Sequence, residues 1–80
     1  MFVMMADIQL KDGMEDDFKT LFSESNKILS SFPGFVSRRF LKSIDGSYRI
    51  IVEHETKETF MTMIQSPEHQ EFHPKLHSFM

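Results

Sequence analysis

The stretch Tyr48–His73, YRIIVEHETKETFMTMIQSPEHQEFH, changes its hydrophobic pattern part-way along. Tyr48–Glu55 alternates. Tyr48, Ile50, Val52 and His54 fall on one face, and Arg49, Ile51, Glu53 and Glu55 on the other, which is the period of a strand. The alternation ends at Thr56–Lys57. Thr56 suits an N-cap, its hydroxyl accepting a backbone N–H, and Phe60, Met61, Met63 and Ile64 supply the apolar side of a helix. Ser66-Pro67-Glu68 reads as a fresh helix start, with Ser as cap, Pro at the first helical position and an acid next. A strand followed at once by two helical pieces needs a sheet to pack on, and the rest of the chain has to supply it.

Phe2–Leu10 reads as the first strand. Phe2, Met4, Ala6, Ile8 and Leu10 share one face, while Val3 and Met5 make the start of the opposite face apolar too. A strand apolar on both sides is covered on both sides. Lys11-Asp12-Gly13 is a turn. Met14, Phe18, Leu21, Phe22, Ser25, Ile28, Leu29 and Phe32 then form a helical stripe, with Glu15, Asp16 and Asp17 at the positive end of the helix dipole. Pro33 stops this helix near Phe32. Phe35–Ser43 is a second strand, and Asp45-Gly46 is a hairpin signal leading into the third.

The order is β-α-β-β-α. That is a ferredoxin-like, split βαβ unit of the α+β class, with the third strand between the first two. Its final strand is short or missing, since only His77–Met80 is left to form one. The edge this leaves calls for a partner, unless the chain is truncated.

Eighty residues make one domain, 1–80, with a core too small to be comfortable alone. No cysteine is present, so disulfides and cysteine metal sites are excluded and a second subunit is the expected support. The net charge is −3 and the only basic pair is Arg38-Arg39, which does not suit nucleic acid. No apolar run spans a membrane, and Met1–Ala6 is too short for a secretion signal, so the chain reads as cytoplasmic.

Histidine is the side chain best placed to carry chemistry near neutrality. His69, His73 and His77 are spaced i, i+4, i+8. On an unbroken helix they share a face, and His69 with His73 can chelate a metal. Pro74 disfavours helical geometry at His73, so the expectation is a broken helix and no three-histidine site.

Taken together, KDGMEDDF opening a helix, FPGF, the Asp-Gly hairpin, YRIIVEHETKETF and SPEH resemble the antibiotic-biosynthesis monooxygenase (ABM) domains of the dimeric α+β barrel superfamily. The resemblance runs from about Val3 to His73. It implies a homodimer whose sheets pack face to face and a pocket between sheet and helices in each protomer. It also implies oxygenation of a small aromatic or quinol substrate without a tightly held cofactor. In that reading His73 or His69 is the base, Phe22, Met63 and Phe72 are wall, and Tyr48 and His54 position the substrate. The alternative is a non-catalytic dimeric protein that binds heme or another flat apolar ligand, with His73 as axial ligand. A metal protein using His69 and His73 is a third reading. The heme-degrading branch of the family carries an Asn, a Trp and a His at spacings that fall on Ala6, Met63 and His73, so only the His is kept and heme cleavage is disfavoured.

Overall fold

The computed structural model describes all 80 residues as β1 (Phe2–Ile8), α1 (Glu15–Leu29), β2 (Phe35–Lys42), β3 (Tyr48–His54), α2 (Lys57–Ile64) and α3 (Pro67–His77). The sheet is antiparallel with order β1-β3-β2, as the split βαβ reading requires. The β2–β3 turn is closed by Ser43 N–H donating to the Ser47 carbonyl at 2.8 Å, and the Asp45 carboxylate accepts from Ser47 N–H at 2.9 Å.

Register assigns the two faces. Phe2, Met4, Ala6 and Ile8 pair with His54, Val52, Ile50 and Tyr48 on the helix-covered side. Val3, Met5 and Asp7 pair with Glu53, Ile51 and Arg49 on the open side. A bulge between Phe35 and Ser37 displaces Val36. Beyond it, Arg38 and Phe40 stand opposite Val52 and Ile50 and so belong to the covered side.

Helix ends follow local chemistry. The Thr56 hydroxyl accepts from Thr59 N–H at 3.1 Å, and the Thr59 hydroxyl answers to Thr56 N–H at 3.3 Å, a reciprocal capping box. Ser66 caps α3 by accepting from His69 N–H at 3.2 Å, with Pro67 behind it. α1 stops at Leu29, three residues short of the expected end, and Ser30–Phe32 continue as turns.

The larger correction is at Pro74. α3 does not break there but runs on to His77. A proline inside a helix costs about 3 kcal/mol through a lost hydrogen bond and a clash with the preceding turn. What offsets it is tertiary. Leu76 is buried against Phe18 and Phe22, and Phe72 and Phe79 pack around the same cluster. His77–Met80 is accordingly no strand. The segment leaves the helix in a turn, and the Phe79 carbonyl accepts from Lys11 N–H at 2.8 Å.

The core is two clusters. Leu29, Val52, Phe60 and Met63 form one, and Phe18, Phe22 and Leu76 the other, with Ile50 packed against both. Only ten residues are buried, so much of the apolar surface still faces outward. On the open side of the sheet, Val3 is 47% and Met5 62% exposed. No helix is long and apolar enough to cross a membrane.

Candidate active site

Between the two clusters lies a cavity of about 370 Å³, inside the range of about 300–1,000 Å³ usual for small-molecule sites. Its floor is the covered face of the sheet, Met4, Ala6, Ile8, Ile50 and Val52. Its roof is Phe60, Met63 and Ile64 of α2 with His69, His73, Leu76 and His77 of α3, and Arg38 and Met80 complete the lining. Met63 is fully buried in the first cluster and lines the cavity as well, so the soft thioether serves packing and pocket together.

Because α3 is continuous, the three histidines form a row along one helix face. Ring centroids are 5.5 Å apart for His69 and His73, and 4.3 Å for His73 and His77. The row runs from part-buried His69 to exposed His73 and His77. His69 Nδ1 is buried and has no hydrogen-bond partner. Burial, with Arg38 and His73 adding to it, pushes the His69 imidazole down to about 4, so the ring is neutral at physiological pH. Burial lowers His73 as well, with His77 and Arg38 contributing. No group of three or more His, Cys, Asp or Glu side chains is arranged to hold a metal ion.

Arg38 is the polar lining residue that the sequence pattern passed over as half of a surface basic pair. Its Nη1 donates to Ser25 Oγ and, at 2.8 Å, to Asn26 Oδ1, and its guanidinium carbon lies 4.1 Å from the Phe22 ring centroid. Burial alone lowers it to about 10. The signal for its direction was present in the alternation with Phe40, but Phe35 points the other way until the bulge is known.

Four other sequence candidates lie outside the cavity lining. Phe22 is buried between Phe18 and Phe40 and carries Arg38 on its ring. Phe72 packs on the second cluster. Tyr48 stacks on Phe40 at 5.4 Å and donates to Glu15 Oε1 at 2.7 Å, at the hairpin end of the sheet. His54 is fully buried behind Met63, its Nε2 3.2 Å from Met63 Sδ and its Nδ1 3.1 Å from Thr59 Oγ1. His69, His73 and Met63 are the three that the fold brings together.

Residues 1–75 match the family described as Antibiotic biosynthesis monooxygenase. The chain belongs to that family. A relative, the "Uncharacterized protein YczJ" of Bacillus subtilis (strain 168), is 30% identical over 77 residues, covering 92% of this chain and 81% of its own length. Among solved structures, a variant of SnoaB, a cofactor-independent oxygenase from Streptomyces nogalater, superposes with a TM-score of 0.86 at 18% identity, over 96% of this chain and 80% of that one. The heme-degrading protein Rv3592 from Mycobacterium tuberculosis superposes with a TM-score of 0.72 at 19% identity, over 81% of this chain and 78% of that one. At such identities the two structures establish the shared ABM fold. They include both a cofactor-independent oxygenase and a heme-degrading protein.

Proposed function

We propose that this ABM protein oxygenates a small electron-rich phenol or quinol held in the cavity, with no resident cofactor. The carrying observation is the histidine row of α3 over the cavity, in which part-buried, neutral His69 stacks on exposed His73 and both rings line the cavity. A substrate hydroxyl beside His73 gives its proton to that imidazole, since a ring held down to about 4, as His69 is, is too weak a base for a phenol. His73, stacked on neutral His69, holds the resulting positive charge on the exposed side of the row. The phenolate passes one electron to O₂. The resulting phenoxyl–superoxide pair combines to a ring peroxide anion, which takes the proton back from His73 and then loses water to leave a quinone, so one oxygen atom enters the product and one leaves as water. Met4, Ile50, Val52 and Met63 keep bulk water from that intermediate.

The second reading is binding without turnover, by heme or another flat apolar ligand. His73, exposed and lining the cavity, is the residue suited to ligate iron. Heme cleavage fits poorly. Ala6 carries no donor, and the Met63 sulfur lies against His54.

We propose further that the whole chain is one domain, and that the exposed apolar side of its sheet is covered by a second copy. The test of the chemistry is oxygen uptake with a panel of naphthols and hydroquinones. Wild type consumes O₂, and His69→Ala and His73→Ala lose about 10²-fold or more. No uptake with any member would sink the oxygenase reading. A Soret band on adding hemin, lost in His73→Ala, would support the second.

A further inference from the structure

The cavity has a cation and no anion. Its charged or chargeable lining is Arg38 with His69, His73 and His77, and no carboxylate is among the lining residues. The ion pairs of the fold use Asp7, Glu15, Glu53 and Glu71, and none involves Arg38. The acceptors Arg38 does find, Ser25 Oγ and Asn26 Oδ1, are both neutral and both taken by Nη1. Its Nε and Nη2 make no hydrogen bond within the chain. A charge partly withdrawn from water gains from an anionic partner, and a guanidinium offers a fork of donors matched to a carboxylate. Ser25 and Asn26 of α1, and the Phe22 ring beneath, hold the group in place without neutralising it.

We propose that the natural ligand of this cavity is an acid: a small, flat, apolar molecule whose carboxylate pairs with Arg38 while its body lies on Met4, Ile50 and Met63. The exposed His73 ring, also in the lining, is then left for a hydroxyl elsewhere on the same molecule. The inference shares its site with the oxygenase reading but does not depend on turnover. General attraction cannot imitate it, because the net charge of the chain is −3 and repels anions at long range.

The probes are 2-naphthoate and 6-hydroxy-2-naphthoate, each against its uncharged amide, titrated calorimetrically at neutral pH. Each acid is expected to bind wild type at least about tenfold tighter than its amide, a difference of about 1.4 kcal/mol. Arg38→Gln erases the difference. If that variant fails to fold, Arg38→Met serves instead. It keeps an unbranched stem to pack on the Phe22 ring and leaves the Asn26 bond to the main-chain carbonyl, and should remove the preference by removing the charge. Acids that bind no better than their amides, including the case where neither binds, overturn the proposal. So does a preference that survives both substitutions. Loss of oxygen uptake with acid preference intact would strike the oxygenase reading alone. The converse result would strike only this inference.

Discussion

Arg38 and Asn26 grip each other in both directions. Arg38 Nη1 donates to Asn26 Oδ1 at 2.8 Å, and Asn26 Nδ2 donates to the Arg38 main-chain carbonyl at 2.9 Å. The pair ties α1 to β2, an edge strand whose outer carbonyls lack a neighbouring strand. Asn26→Ala removes both bonds and leaves a part-buried charge with fewer partners. A loss of about 1–3 kcal/mol is expected, read as a lower urea midpoint with an unchanged slope.

Stability should fall with acid earlier than carboxylates alone would make it. The folded His69 imidazole sits at about 4 against an ordinary value of 6.5. Across that window the unfolded chain binds a proton that the folded one refuses. The stability is therefore fully present above 6.5 and erodes as pH falls toward 4. His54 and His73 are also lowered, chiefly by burial, and push the same way. The thermal midpoint of wild type is expected to drop between about pH 7 and pH 5, and less so in His69→Gln. A flat wild-type profile over that range would refute the assignment.

Two glycines test backbone against packing. Gly13 and Gly34 both have positive φ, at 78° and 81°. Nothing lies within 4 Å of a Cβ added at Gly13, whereas one at Gly34 would overlap the Thr59 side chain of the capping box. Gly13→Ala should cost only the left-handed backbone strain, about 1–2 kcal/mol. Gly34→Ala should cost about 1–3 kcal/mol more from overpacking. Equal midpoints for the two would show that Thr59 gives way freely.

If a second copy covers the sheet, charge at its centre will expel it. Met5 is 62% exposed and stands opposite Ile51 on the open face. Light scattering of wild type should give twice the chain mass, and Met5→Glu should give the single-chain mass with the circular dichroism of a folded protein. A monomeric wild type at micromolar concentration would remove the proposed dimer.

Much of the fold was legible because it is written in short-range chemistry. Alternation in Phe2–Ile8 and Tyr48–His54, the stripe from Phe18 to Leu29, the Thr56 and Ser66 caps and the Asp45-Gly46 hairpin each depend on neighbours a few residues away. The site was legible in part. His69 and His73 reach the cavity with Met63, whereas Phe22, Tyr48, His54 and Phe72 went to packing and hydrogen bonds elsewhere. Period alone marks which side chains turn inward, and cannot distinguish a wall from a filler.

The amino-acid order by itself determined the elements, their succession and the two faces of β1 and β3, since local propensity and alternation act over a turn or a pair of residues. Only the tertiary structure decided that α3 would run through Pro74 and that Arg38 would turn inward. The first depends on Leu76 docking against Phe18 and Phe22. The second depends on a bulge at Val36 and on the grip of Asn26 from another element. Burial contributed by distant residues outweighs a local helix penalty there, and no local pattern records it.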